Sequence, residues 1–297
     1  MQLSANGLSL EVDDQGLAGG EPLLLIMGLG MQLTSWPDEL VADLVRRGFR
    51  VVRFDNRDAG LSQGFDHLGQ PSLMWSTVRH LARLPVPSPY ALADMAADAL
   101  GVLDALGIAQ AHVCGASLGG MVAQHLAARY PQRVKSLTLM MTTSGARRLP
   151  QATLEARRVM LQRPKGSSHE ALVDHLAHVM TVIGSPAYRP EPATFRERLS
   201  RGLRRAYRPA GTVRQLVAVA ADGDRTPLLA RIAAPTHVIH GEHDPLIPAA
   251  SGHDLARRIA GASSDLIAGM GHDLPLQLLP RFADGIAANA QRAKLPP

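Results

Sequence analysis

The sequence predicts an α/β protein: a mostly parallel sheet of about eight strands flanked by helices and interrupted by a helical insertion. Three observations predict this. Short apolar runs alternate with segments of helical periodicity along both ends of the chain. Some of the runs, Pro22–Met27 (PLLLIM) above all, are apolar on both faces, as strands covered on both sides must be. The alternation stops between Ser144 and Ala221, where no strand pattern occurs, and then resumes.

Taken in order, Leu3–Ser4 and Leu8–Val12 flank Asn6-Gly7, a pair that tolerates the positive φ of a tight hairpin. Pro22–Met27 is the next strand and ends in Gly28-Leu29-Gly30. Trp36–Arg47 has helical spacing and Gly48 as its stop. Arg50–Phe54 is a strand that runs into Asp55. Leu61–Pro89, rich in Gly and Pro, reads as irregular. Tyr90–Leu106 is a helix stopped by Gly107, Ala111–Cys114 a strand, Leu118–Arg129 a helix closed by Pro131, and Arg133–Met141 a strand. Past the insertion, Thr236–His240 and Asp265–Ala268 are strands, and Ala249–Ile259 and Leu276–Ala290 are helices. The chain therefore divides into a first core segment at 1–143, a helical cap at 144–226 and a second core segment at 227–297. Its 297 residues suit one α/β domain with an insertion.

Composition narrows the functional classes. Hydrophobic residues are 46% and charged residues 19%, enough for a sizeable core and too apolar for a disordered chain. The net charge is +5, but the arginines are scattered in pairs and aromatics are only 4%, which argues against a nucleic-acid surface. One cysteine, Cys114, allows no internal disulfide. The N-terminus lacks the basic start and apolar run of a signal peptide, and no apolar run is long enough to span a bilayer. A cytoplasmic location without membrane association is the expectation; oligomeric state is not encoded legibly.

Gly115-Ala116-Ser117-Leu118-Gly119 matches G-x-S-x-G, with Gly120 following. The motif is short, and its context makes it informative. It follows a strand and opens a helix, the setting of a nucleophile elbow. Ser117 would stand exposed at the strand's C-terminal end, beside the free N–H groups of a helix start. A serine hydroxyl needs an adjacent base to attack, and the chain order for this arrangement is Ser, acid, His.

Asp244 lies in the turn after strand Thr236–His240, and His272 in the turn after strand Asp265–Ala268, both at the edge where open α/β sheets place their sites. His272 would take the Ser117 proton and Asp244 would orient its ring. Glu242 is the rival acid. Asp273 cannot easily face the ring of its own neighbour, and Asp265 begins its strand at the wrong edge. His243 and His253 read as surface residues and His240 as a strand-end residue. His237, His240 and His243 suggest a metal at first, but 237 and 240 face opposite sides of a strand, and no metal is expected.

An acyl-transfer site also needs oxyanion donors. The backbone N–H of Leu118 is one candidate and that of Leu29, between Gly28 and Gly30, the other. Asp55-Asn56-Arg57-Asp58-Ala59-Gly60-Leu61-Ser62 reads as scaffolding at the site edge, with Arg57 pairing Asp55 or Asp58; a direct role in substrate binding is the alternative, since strand-end loops build such sites. Cys114 reads as packing beneath the elbow. No cofactor is expected, since Gly28-Leu29-Gly30 lacks the third glycine of a dinucleotide fingerprint.

Together, MGLGMQLTSWPDEL, VVRFDNRDAGLS, DMAADALGVLDALGIAQAHVCGASLGGMVAQ, HGEHDPLIP and GMGHDLP resemble the α/β-hydrolases related to aclacinomycin methylesterase. The likeness runs from about Pro22 to Met141 and from about Ile232 to Leu279. The resemblance implies an α/β-hydrolase fold, Ser117, Asp244 and His272 as triad, and Leu29 and Leu118 as oxyanion hole. The sequence departs from commoner wording at Met27, where many such proteins have His, and at Asp58, where many have Gly. The expected function is hydrolysis of a small-molecule carboxylic ester through an acyl-serine. A carbon–carbon hydrolase or perhydrolase using the same triad, and a non-catalytic ligand-binding homologue, are the alternatives. Met160, Leu161, Leu172, Leu176, Val179 and Met180 read first as the cap's own core and second as a pocket lining. If His272 is the base, it must be neutral to work, so kcat/KM should fall toward acid pH. A flat profile between about pH 5 and 8, where histidine titrates, would contradict the assignment.

Overall fold

A computed structural model of the chain describes residues 1–294. Eight strands form one sheet: β1 (Gln2–Ala5), β2 (Leu8–Gln15), β3 (Glu21–Ile26), β4 (Phe49–Phe54), β5 (Ala111–Ala116), β6 (Val134–Met140), β7 (Thr236–Gly241) and β8 (Ser263–Ile267). Their order is β1-β2-β4-β3-β5-β6-β7-β8. β1 and β2 form an antiparallel hairpin whose turn residues Asn6 and Gly7 take φ of 50° and 73°. β2 pairs antiparallel with β4, and every later pairing is parallel. The expected sheet is therefore present, strand for strand.

The helices are α1 (Asp38–Arg46), α2 (Leu73–Leu81), α3 (Leu92–Ala105), α4 (Leu118–Arg129), α5 (Leu154–Leu161), α6 (His169–Ile183), α7 (Pro192–Arg205), α8 (Pro209–Asp222), α9 (Thr226–Leu229), α10 (Ala250–Arg258) and α11 (Leu279–Arg292). Alternate residues of the strands feed opposite layers. Leu24, Ile26, Val52, Phe54 and Val113 pack with α3 and α4 through Leu92, Val102, Val122 and Leu126. Leu23, Leu25, Val51, Cys114 and Ile239 pack with α1 and α11 through Leu40, Leu44, Phe282 and Ile286.

Helix α2 corrects the expectation of irregular chain over Leu61–Pro89. Ser72 caps it by accepting from the Trp75 amide. Its apolar residues Met74, Trp75 and Leu81 face solvent while Ser76 is buried. The inward apolar stripe by which a sequence announces a helix is thus missing.

Helices α5 to α8 lie between β6 and β7, where the strand rhythm fails. The chain leaves and re-enters the sheet side by side: the Arg225 amide donates to the Ser144 carbonyl at 2.8 Å, and Arg225 Nη2 to the Thr143 carbonyl at 2.9 Å. Ser144 Oγ donates to Asp254 at 2.6 Å, which fixes this junction to α10.

The loop after β4 binds the inserted helices more tightly than its sequence suggests. Asp58 accepts from Arg214 of α8 at 2.7 and 2.8 Å and from the Tyr90 hydroxyl at 2.8 Å. Asp55 accepts from Arg205 of α7 at 2.7 Å. Arg57 does not pair Asp55 or Asp58, as adjacency suggests. It turns to α3 and pairs Asp98 at 2.6 and 2.7 Å, because arginines some 150 residues downstream have taken its neighbours.

Both members of the Asp58–Arg214 pair are buried, with side chains 0% and 1% exposed. Removing one partner would leave an uncompensated buried charge, so Asp58→Asn should cost about 3–5 kcal/mol in urea unfolding at neutral pH. Burial alone would raise the Asp58 carboxyl, but hydrogen bonds from Arg214, the Phe65 amide and Tyr90 outweigh it and hold the group below its ordinary 3.8. A carboxyl depressed in the folded state stabilises above its unfolded value and loses that contribution as pH falls through the folded one. The gap between wild type and Asp58→Asn should therefore be full at neutral pH and narrow below about pH 3. A pH-independent gap would contradict this.

Candidate active site

Strand β5 runs straight into Ser117, and α4 starts at the next residue. The reversal is so abrupt that Ser117 takes φ 53° and ψ −120°. Side chains cannot fit around it. A Cβ on Gly115 would overlap the Gly119 carbonyl, and one on Gly119 would overlap the Ile26 carbonyl of β3. The Ser117 amide donates to the Met140 carbonyl at 2.9 Å, and Thr142 Oγ1 donates to the Ser117 carbonyl at 2.7 Å. The backbone is thus pinned while Oγ projects from it.

His272 follows β8 and is held by its own amide, which donates to the Ile183 carbonyl at the end of α6 at 2.8 Å. Its Nε2 lies 3.0 Å from Ser117 Oγ, and its Nδ1 lies 2.7 Å from Asp244 Oδ2. A carboxylate can only accept, so Nδ1 carries the proton and Nε2 presents its lone pair to the hydroxyl. The other Asp244 oxygen accepts from the Leu246 and Ile247 amides at 2.9 and 2.8 Å. Asp244 is 5% and His272 8% exposed, so water competes little for the chain of bonds.

The rival residues lie outside this chain of bonds. Glu242 is exposed. Asp273 accepts from the Ser185 hydroxyl and, at 3.1 Å, from its amide; burial pushes its carboxyl up. Asp265 pairs Arg281 at 2.6 and 2.8 Å. His243 and His253 are exposed, and His237 contacts Ser263 Oγ at 2.9 Å. Among the described residues no group of three or more His, Cys, Asp or Glu side chains could hold a metal ion. Cys114 is buried in the α1 and α11 layer, and burial raises its thiol out of reach of ionisation at neutral pH.

His240, read from the sequence as a strand-end residue, lies under Asp244. It is fully buried, its Nε2 donates to the Ile247 carbonyl at 2.8 Å and sits 3.7 Å from Asp244 Oδ2. Burial lowers its pKa and keeps the ring neutral. It therefore braces the Asp244 turn without adding a charge. Only its place four residues before Asp244 at a strand end hinted at this.

Leu118 is the first residue of α4, so its N–H has no partner within the helix. The Met27-Gly28-Leu29 turn lies against Ser117: a Cβ on Gly28 would stand 3.2 Å from Ser117 Cβ and 3.7 Å from Oγ. Asn56 Nδ2 donates to the Met27 carbonyl at 2.9 Å and Asp55 Oδ1 accepts from the Leu33 amide at 2.6 Å, so the loop after β4 scaffolds this turn. Ser117, His272, Asp244, Leu29 and Leu118 all meet at the C-terminal edge of the parallel strands.

A parallel sheet with a nucleophile elbow, a later acid and a final histidine defines the α/β-hydrolase class. The chain belongs to this family: the model for the alpha/beta hydrolase fold matches residues 21–277. It is similar to the rhodomycin D methylesterase DnrP of Streptomyces peucetius, 33% identical over 295 residues that cover 92% of this chain and 91% of that protein. It is 31% identical to the rhodomycin D methylesterase DauP of Streptomyces sp. (strain C5), with the same shares covered. The enol-lactonase of Burkholderia xenovorans LB400 has the same fold, with a TM-score of 0.74 over 98% of this chain and 100% of that one, at 23% identity. The methylesterase-like resemblance carried by the motifs is thus borne out.

The geometry separates Asp244 from Glu242 by experiment. Asp244→Asn cannot hold the Nδ1–H tautomer and should lower kcat by about 10⁴-fold with the fold intact. Glu242→Gln, changing an exposed side chain, should leave kcat within about twofold. The reverse pattern in steady-state kinetics would exchange the two roles.

Proposed function

We propose that the protein is a serine esterase that cleaves a small-molecule carboxylic ester through an acyl-serine intermediate. The observation that carries this reading is the unbroken hydrogen-bond chain Ser117–His272–Asp244, with the Met27-Gly28-Leu29 turn packed against the same serine. As Ser117 Oγ attacks the ester carbonyl, its proton passes to His272 Nε2, and Asp244 stabilises the imidazolium. The carbonyl π electrons move to oxygen, where the Leu29 and Leu118 amides can donate. Collapse of this adduct breaks the ester C–O bond, and His272 returns the proton to the departing alcohol. Water then repeats the sequence on the acyl-serine, releasing the acid and restoring Ser117. No metal or nucleotide is needed for any step.

Residues 144–226 serve as a cap. This is supported by the Ile183 carbonyl at the end of α6, which accepts from the His272 amide. Val179 and Met180 pack on Ala156, Val159 and Ile183 and belong to the cap's own core. Met160 and Leu161 are exposed, and Leu172 and Leu176 are half-buried. The two methylesterase relatives support a methyl ester of a larger acid as the substrate class.

A fluorophosphonate should add once, at Ser117, and Ser117→Ala should abolish both the adduct and turnover of short p-nitrophenyl esters. Labelling that survives in Ser117→Ala would overturn the proposal. Among esters of one acid, the methyl ester should be turned over at least as well as bulkier alkyl esters; a preference for bulky alcohols would contradict the substrate class.

A further inference from the structure

Gln215 of α8 is fully buried, and its side-chain amide joins two loops of the site edge. Its Oε1 accepts from the Gly30 amide at 2.8 Å, and its Nε2 donates to the Arg57 carbonyl at 2.7 Å. The partners dictate which way the amide points, since an N–H can only donate and a carbonyl only accept. Thr212, one turn earlier on α8, closes on the same place: a Cβ on Gly30 would meet its Oγ1 at 2.5 Å.

Helix α7 holds the rest of the turn. Gln32 Nε2 donates to the Gly202 and Ala206 carbonyls at 2.7 and 3.0 Å, and Arg205 donates to Gln32 Oε1 at 2.6 Å. The same arginine nitrogen reaches Asp55 Oδ2, and Asp55 Oδ1 holds the Leu33 amide. The Leu29 peptide, flanked by two glycines, has one bond of its own turn, the Met31 amide donating to the Gly28 carbonyl at 3.2 Å. Beyond that bond, Gly30, Gln32 and Leu33 are held by inserted helices, or by a carboxylate that an inserted helix holds.

We infer that Gln215 is a positioning residue that sets the Leu29 N–H for the oxyanion, so that the cap completes the catalytic site as well as covering it. This rests on the esterase reading above. Gln215 touches no reacting atom. Its effect arises because an oxyanion donor works only when held in place before the charge develops, to within about half an ångström. The uncharged substrate carbonyl uses that donor weakly, so loss of positioning falls on the transition state.

The test is Gln215→Met, which keeps the length and volume and removes both hydrogen bonds. With p-nitrophenyl esters, kcat should fall about tenfold while KM stays within about twofold, less than the loss from deleting a donor outright. Affinity for an alkyl boronic acid, which adds to Ser117 and mimics the tetrahedral adduct, should weaken by the same factor as kcat. A purely structural role would lower the melting temperature without moving boronate affinity. Gln32→Met unties the same loop from α7 and should show the same kcat-only loss; it carries the test if Gln215→Met does not fold. A folded variant with unchanged kcat and boronate affinity, or with its loss confined to KM, would overturn the inference. Turnover or boronate binding that persists in Ser117→Ala would overturn the esterase reading instead.

Discussion

The structure depends on one backbone constraint, the left-handed conformation of Ser117 between β5 and α4. A non-glycine residue held there costs on the order of 1–3 kcal/mol and persists only where its surroundings over-determine it. Here they do. The Ser117 amide and carbonyl are both engaged, and the glycines around it let α4 lie directly on the ends of β5 and β3. Helix α4 is buried from Leu118 to Ala128, so the sheet and its central helix cannot separate without losing the larger apolar layer. The strain at Ser117 is held by the whole core, and it leaves the hydroxyl projecting at the sheet edge.

A second level of order comes from charge. The loop after β4 supplies Asp55 and Asp58, and the inserted helices return Arg205 and Arg214 to them. A pair buried on both sides, as Asp58–Arg214 is, adds little net stability over apolar packing, but it and the buried Asp55 carboxylate penalise any arrangement that leaves the charge unpaired. Their consequence is register. They fix where α7 and α8 lie on the core, and therefore where Gln32 and Gln215 meet the turn beside Ser117. Neutral His240 under Asp244 has a comparable effect on the other side of the site.

Much of this was legible in the sequence because it is local. Strands apolar on both faces, the Asn6-Gly7 turn and the glycines around Ser117 each state their conformation within a few residues. Asp244 and His272 could be chosen because chain order and strand ends are one-dimensional properties. What escaped is non-local or inverted. Helix α2 turns its apolar side outward, so its periodicity points the wrong way. The partner of Arg57 lies on α3, since its neighbours are claimed from the far side of the insertion. Gln215 has no motif around it; its role exists only where α8 meets the turn after β3.

The central claim is that Ser117 carries the acyl group during turnover. Acid quench of the enzyme during hydrolysis of p-nitrophenyl acetate, followed by peptide mass spectrometry, tests it most directly. The account predicts an acetyl group on the peptide containing Ser117, more abundant early in the reaction and lost once substrate is exhausted. Turnover with no acylated Ser117 peptide, or with the acetyl group on another side chain, would contradict it.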